Sequence, residues 1–433
     1  MLIEFSVGNY RSFKEKVTFS MVASNLTAKD KNLDENNVFA IDDDLKLLKS
    51  AAIYGANASG KSNLIQALGF MRWFIINSSK ETQSTDTIKA EPFRLSTETE
   101  EDPSYFELVF LMSGKKYIYG FEVDQEKVVS EWLSYVPKSR ETKLFERNSS
   151  GIKIKSSKSY NADGVAQRTR PNALFLSVSA QFNVGIAEEI LKWISDKLNS
   201  ISGANTRSCL MYTINQLLND TDKNEILQFV TGLDLGIGGI QVSQKAFDID
   251  SMPEAIPDEL KTILAKSMAK SDGKSTSVVT IHKKFRKDGS SDLIEEFNLQ
   301  KHESEGTQKM FALSGPIINT LKKGRILFID ELDASLHPLI SRAIITLFNS
   351  NETNPNNAQL VFTTHDTNLL NNKFFRRDQI WFTEKNKYGA TDLYSLAEYQ
   401  VRNDASFESD YIKGRYGAVP YVGNLSALVE SHG

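Results

Sequence analysis

Gly55-Ala56-Asn57-Ala58-Ser59-Gly60-Lys61-Ser62 decides how the rest of the chain is read. It fits G-x-x-x-x-G-K-[ST], a loop whose backbone N–H groups cradle phosphate oxygens. Gly55 and Gly60 let the chain curl tightly enough for those groups to converge, with Asn57 and Ser59 carried on the loop between them. Lys61 brings a point charge to the β- and γ-phosphates, and Ser62 offers a hydroxyl to Mg²⁺. Ala51 to Tyr54 reads as a buried strand. Lys61 to Ile76 reads as a helix, with Leu64, Ile65, Leu68, Met71 and Phe74 near one face. The start of that helix then points at the phosphates.

Working outward, a second strand signal stands at Ile326-Leu327-Phe328-Ile329, followed by Asp330-Glu331. An apolar run ending in two carboxylates fits a central parallel strand whose C-terminal end meets the ligand. In that reading Asp330 supports Mg²⁺ and Glu331 polarises the attacking water. The alternative is a buried strand ending in a solvated acidic turn. Gln359-Leu360-Val361-Phe362-Thr363-Thr364-His365 repeats the pattern and ends in a histidine. His365 is read either as a contact to the γ-phosphate and its water or as a hydrogen-bonded surface residue. Ser304-Glu305-Gly306-Thr307 opens a helix from Met310 to Leu321. Ser304 and Gly306 can present a hydroxyl and N–H groups to an anion, or form an ordinary helix cap.

Composition sets wide limits. The 433 residues suffice for two or three domains or one large α/β domain with insertions. Hydrophobic residues make up 40% and charged residues 24%, ordinary for a globular protein. The formal charge of -4 does not announce a nucleic-acid binder, although a local basic face is compatible with it. The single cysteine, Cys209, excludes an intramolecular disulfide and suits a reducing, cytoplasmic setting. Its plain reading is a small buried apolar residue. The chain opens as a strand rather than a signal segment, and no apolar run is long enough to span a membrane.

Between these landmarks the pattern changes. Residues 1–20 read as two strands about Gly8-Asn9, and 24–46 as an irregular segment. From Pro92 to Phe145 the alternation predicts an antiparallel sheet lying over the first strands, with a hairpin at Met112-Ser113-Gly114-Lys115. Residues 147–170 read as a loop. Residues 184–231 have helical spacing and suggest an inserted subdomain. A further helix is expected at 254–270, then a hairpin about Asp288-Gly289.

Taken in order, the P-loop, Ser-x-Gly signature, Asp-Glu pair and Thr-His resemble the ABC-type ATPase heads of the SMC/RecF class. Asn9-Tyr10-Arg11-Ser12-Phe13 resembles their opening motif, and Leu336-His337-Pro338 their loop after the catalytic carboxylate. Glu91-Pro92-Phe93-Arg94-Leu95, Leu176 to Asn183 and Lys413 to Pro420 bring the likeness closer to the AAA-15/AAA-21 group of bacterial defence ATPases. That group includes AbiLi/RloA-like proteins and the ATPase of PARIS systems. The resemblance implies an α/β fold: an ABC-type head with a mostly parallel core sheet, an antiparallel β subdomain and an inserted helical subdomain. It places lobes at 1–183 and 301–433 around an insertion at 184–300. It makes ATP and Mg²⁺ the ligands, Glu331 the base and His365 the γ-phosphate sensor. Arg11 becomes a phosphate contact, and Gln181 a glutamine-loop residue at the metal that reports nucleotide to the insertion. Ser304 and Gly306 would complete the site of a facing subunit, although the signature lacks the usual second glycine.

The implied function is a regulatory ATPase of antiphage defence. It would act as a homodimer or larger assembly that answers a phage-encoded trigger and controls a separate effector, a Toprim-type nuclease. The alternative is a RecF/SMC-like repair ATPase that clamps DNA, with His282 to Lys287 lining a groove or, in the plainer reading, forming a solvated turn. An ATPase and nuclease in one chain is disfavoured: 68 residues follow His365, and Asp404, Glu408 and Asp410 lack a strand-based acidic motif.

Overall fold

In a computed structural model, residues 1–433 are described except 138–139, 157, 203–205, 234–235, 247–273, 292, 403–404 and 421–433. The helix expected at 254–270 lies outside the described residues.

Five strands form a parallel sheet in the order Leu198–Ile201, Ile326–Ile329, Gln359–Thr363, Ser50–Tyr54 and Ile380–Lys385. Thr391–Ser395 closes one edge antiparallel. The strands Ser50–Tyr54, Ile326–Ile329 and Gln359–Thr363 are buried along their whole length. They are therefore continuous rather than alternating hydrophobic runs. Because these five strands run the same way, Gly55, Asp330, Thr364 and the end of Ile380–Lys385 emerge at one edge of the sheet.

A second, antiparallel sheet has the order Gly151–Ile154, Thr142–Asn148, Val128–Val136, Lys115–Val123, Ser104–Met112, Leu2–Gly8 and Val17–Ser20. The first strands are thus members of this sheet rather than a layer beneath it: Phe5 pairs with Leu108 and Val7 with Phe106. The helix Lys61–Asn77 packs on it through aromatic rings. Phe70 lies 5.1 Å from Phe106 and Phe74 lies 5.6 Å from Phe121, centroid to centroid. Such contacts, at 4.5–7 Å, hold the helix that carries the phosphate loop. The segment expected to be irregular holds a short helix, Lys31–Asn36, capped by Asp30, and a small hairpin, Val38–Ala40 with Lys46–Leu48.

The chain divides into two units, Met1–Ala204 with Thr320–Gly433, and Asn205–Asn319. This departs from boundaries at 183/184 and 300/301. The helix Gly185–Lys197 buries Ile190 and Ile194 in the core of the first unit, and Leu198–Ile201 is an edge strand of the core sheet. The second unit has helices Thr206–Leu218 and Lys223–Thr231 and a three-stranded antiparallel sheet, Ile237–Ala246, Lys274–Lys284 and Leu293–Asn298. Its own core includes Ile214, Ile226, Val230, Val278 and Phe311. Cys209 is buried, as its plain reading has it. Among the described residues no helix is long and apolar enough to cross a membrane. The fold class is α/β, as expected, with a mostly parallel core sheet and a separate antiparallel sheet.

Candidate nucleotide-binding site

The loop from Gly55 to Gly60 joins the central strand Ser50–Tyr54 to the helix Lys61–Asn77. Gly60 is the residue before the helix and has φ +113°. A Cβ there would fall 2.4 Å from Thr391 Oγ1 and 2.9 Å from Ser12 Oγ, so backbone angle and space both require glycine. At Gly55 a Cβ would fall 2.5 Å from the Thr383 carbonyl. The back of the loop is thereby pressed onto the two last strands of the sheet. The Ser59 hydroxyl bonds Thr383 Oγ1 at 2.6 Å, and the Thr391 hydroxyl donates to the Ser59 carbonyl at 2.7 Å.

On the open side lies a cleft of about 500 Å³ lined by residues 57–63, Glu331, His365 and Lys385. Pockets of roughly 300–1,000 Å³ take small molecules and cofactors. The Lys61 ammonium is folded into the loop and donates to the carbonyls of Gly55 at 2.8 Å and Ala56 at 3.0 Å. Burial lowers its pKa to about 8, against the opposing pull of Asp330, Glu331 and Asp333. A buried ammonium that can exchange two neutral carbonyls for phosphate oxygens suits an anionic ligand.

Across the cleft floor the Ser62 hydroxyl donates to Asp330 Oδ1 at 3.0 Å. A hydroxyl and a carboxylate side by side are the hard oxygen pair that Mg²⁺ takes together with substrate phosphates. The residues present therefore fit a nucleotide with Mg²⁺. The ion when bound would neutralise charge on the transferring phosphoryl group. Glu331, next along the chain, is solvent-facing and has φ +53°, rare for a residue with a long side chain. His365 also faces solvent, and its backbone N–H donates to Asp333 Oδ2 at 3.2 Å. Desolvation, then the Lys61 charge, hold the imidazole pKa below its usual value. It is thus neutral at pH 7 and keeps one N–H donor.

Gly55, Asn57, Ser59, Gly60, Lys61, Ser62, Asp330, Glu331 and His365 are brought together at one edge of the core sheet; Arg11 and Gln181 are not among the residues lining the cleft. Arg11 has φ +51°, its N–H donates to the Glu91 carbonyl at 2.7 Å, and its guanidinium pairs with Glu91 Oε1 at 2.9 Å. The turn that carries Arg11 acts as a brace. Asn9 bonds the backbone of Phe93, Thr99 and Asp102, while Ser12 accepts from Asn63 Nδ2 and from the Thr391 N–H. Gln181 is exposed at the end of the helix Phe175–Gln181. That helix is anchored at its start by buried Glu131, which accepts from the Phe175 and Leu176 N–H groups. In the second unit, Ser304 caps the helix Glu305–Lys323, its Oγ accepting the Thr307 N–H at 3.1 Å, and Gly306 lies in the first turn. The plain cap geometry is present, and it leaves Ser304 exposed. Lys385, which no motif flagged, ends the strand flanking the loop on the side away from Glu331.

The Lys61 environment has a measurable consequence. Near pH 6.5 the empty site already carries the proton that phosphates require. Above about pH 8 Lys61 is largely neutral, and ATP must bring a proton with it. Calorimetry in buffers of different ionisation heat is expected to find proton uptake on ATP binding at pH 8.5 and none from Lys61 at pH 6.5. Uptake independent of pH over that range would contradict it.

A family model described as "AAA domain, putative AbiEii toxin, Type IV TA system" matches residues 50–371, well over half of the chain. No curated protein matches the sequence. Among solved structures the chain is similar to an Smc head bound to the C-winged helix domain of ScpA, with 12% identity over 91% of this chain and 97% of that one and a TM-score of 0.42. It is similar to an SMC head domain from Thermotoga maritima, with 12% identity over 91% and 98% and a TM-score of 0.39. The recombination mediator RecF with ATP, from the RecFOR pathway, gives 14% identity over 91% and 99% and a TM-score of 0.35.

Proposed function

The chain belongs to the AAA-domain family whose model it matches, a group of P-loop ATPases, and from that premise we propose that it is a regulatory ATPase of bacterial antiphage defence. In this reading, ATP with Mg²⁺ binds at Lys61, Ser62 and Asp330, Glu331 activates the attacking water, and neutral His365 donates to the γ-phosphate. Hydrolysis controls a separate effector, a Toprim-type nuclease as in PARIS systems, in response to a phage product. The observation that carries the ATPase reading is the chain of contacts from Ser62 to Asp330 beside Lys61 and Glu331 at one edge of the core sheet. The defence reading is supported by the family's toxin–antitoxin description and by the AbiLi/RloA-like and PARIS-like flanking motifs.

A complete site takes two chains, with Ser304 and Gly306 of one subunit placed against the nucleotide of the other. Two-fold pairing gives two such sites. Ser304→Arg protein is expected to bind ATP but not hydrolyse it, because bulk and charge obstruct the interface. Lys61→Ala protein lacks the phosphate contact. Mixed, the two inactive proteins are expected to recover part of the turnover, since one site of each mixed dimer carries neither substitution. An ATPase titration of one variant against the other, with self-mixtures as controls, measures this. No recovery despite proven subunit exchange would reject independent composite sites, and full activity of Ser304→Arg alone would remove Ser304 from the site.

A RecF/SMC-like repair ATPase is the second reading. The favouring observation is Phe285, 67% exposed between Lys284 and Arg286 at the turn between Lys274–Lys284 and Leu293–Asn298. Exposed rings among basic residues are how sequence-tolerant strand binders stack bases. A neighbouring nuclease gene favours defence; ATP-dependent DNA binding lost in Phe285→Ala favours repair.

A further inference from the structure

We infer that Thr363 is a positioning residue for hydrolysis, whose single hydroxyl fixes both the metal-side carboxylate of Asp330 and the backbone of Glu331. The inference rests on the ATPase reading of the cleft and deepens it.

The register of the core sheet puts Thr363 there. Ile329 pairs with Phe362 in parallel strands, so Asp330, just past the end of its strand, lies beside Thr363, the last residue of its own. Thr363 is fully buried. Its Oγ1 accepts the Glu331 N–H at 2.7 Å and lies 2.7 Å from Asp330 Oδ1. A hydroxyl has one proton. Because its lone pair takes the Glu331 N–H, and a carboxylate only accepts, that proton goes to Asp330. Asp330 Oδ1 thus receives two hydroxyl donors, Thr363 and Ser62. The carboxylate is oriented before any metal arrives.

The same residue holds the other half of the site. Glu331, at φ +53°, occupies a backbone region that side-chain-bearing residues seldom adopt. Such a conformation persists where its surroundings over-determine it. Here the Glu331 N–H is held by the Thr363 hydroxyl, and the following N–H, of Leu332, by the Thr363 carbonyl at 3.1 Å. The Ala334 N–H closes the turn on the Glu331 carbonyl at 3.2 Å. One residue of the neighbouring strand therefore fixes where the base points relative to the metal ligand. An aliphatic side chain at 363 would fill the space and leave both bonds unmade.

The test compares Thr363→Val, Thr363→Ser and wild type as full-length chains, measuring kcat, KM for ATP, the Mg²⁺ dependence and the melting temperature. Outer-shell partners of metal ligands typically cost about 10- to 100-fold in activity or metal affinity when removed. Thr363→Val is expected to lose at least about tenfold in kcat and need more Mg²⁺ for half its maximal rate, with KM for ATP within about threefold of wild type. Thr363→Ser, which keeps the hydroxyl, is expected to stay within about threefold of wild type throughout. Wild-type kcat in Thr363→Val overturns the inference. So does an equal fall in both variants, which reports packing rather than the hydroxyl, or a lower melting temperature with unchanged turnover per folded molecule. If the valine variant fails to fold, Thr363→Ala against Thr363→Ser makes the same comparison. Glu331→Gln and Lys61→Ala are the controls: lost turnover in both with full turnover in Thr363→Val removes this inference alone, full turnover in Glu331→Gln removes Glu331 as the base, and full turnover in Lys61→Ala removes the ATPase reading of the cleft.

Discussion

Lys61→Ala is expected to abolish ATP turnover, to weaken ATP binding by about 10- to 100-fold, and yet to leave the empty protein at least as stable as wild type. The loss of affinity follows from removing hydrogen bonds to charged phosphates, each contributing about 1.5–3 kcal/mol. Turnover falls further, because a charge placed where the transferring phosphoryl group accumulates charge acts most strongly in the transition state. The stability half comes from the empty site. Lys61 is 5% exposed, its ammonium is held by two neutral carbonyls, and burial pulls its pKa down to about 8. The charged form is thus disfavoured by folding, and the lysine is kept at a cost. Thermal melts separate the two effects. At 100 times the dissociation constant a ligand adds about 2.7 kcal/mol to stability, so wild type should rise clearly in melting temperature with ATP while Lys61→Ala should not. Equal turnover by the two proteins would remove the loop as the working site. A variant that unfolds without nucleotide would mean the ammonium is structural.

Most of the residues that gather at the candidate site were legible in the sequence because their signals are local. A glycine-framed loop, an apolar run ending in Asp330-Glu331 and another ending in Thr364-His365 each show within eight residues. Fully buried parallel strands give unbroken apolar runs, so they stand out even when short. What was not legible depends on partners far along the chain. Leu198–Ile201 follows a helix with helical spacing up to its last residue, and only pairing with Ile326–Ile329 makes it a strand. Gly151–Ile154 is a strand because Thr142–Asn148 is there to pair with it, although its residues read as a polar loop. Leu2–Gly8 joins the antiparallel sheet through Ser104–Met112, about a hundred residues later. The contacts of the Thr363 hydroxyl depend on the register between two strands, which a motif cannot express. Arg11 has the opposite history. A motif pointed to phosphate, and its position on Glu91, within a turn that braces residues 91–102, explains the motif's shape by packing.

Glu331→Gln is expected to lower kcat by about 100- to 10,000-fold, the usual contribution of a positioned general base, with ATP affinity within about threefold of wild type. Glutamine keeps the length and the backbone bond to Thr363 but cannot take a proton from water. Asp333, another carboxylate on the same turn, is engaged with the His365 N–H. The backbone gives an independent way to ask whether Glu331 is there for chemistry. A side chain at φ +53° costs on the order of 1–3 kcal/mol, whereas glycine at such a position costs only about 0.5–1 kcal/mol of chain entropy. Glu331→Gly is therefore expected to melt no lower than wild type while losing turnover as fully as Glu331→Gln. A residue retained for structure behaves the other way, because its replacement by glycine lowers the melting temperature. The measurements are single-turnover hydrolysis, nucleotide binding and thermal melts on the three proteins. Full turnover in Glu331→Gln would move the base elsewhere. A loss of ATP binding in that variant, or a destabilised glycine variant, would make Glu331 a structural residue whose strain is offset by its own contacts.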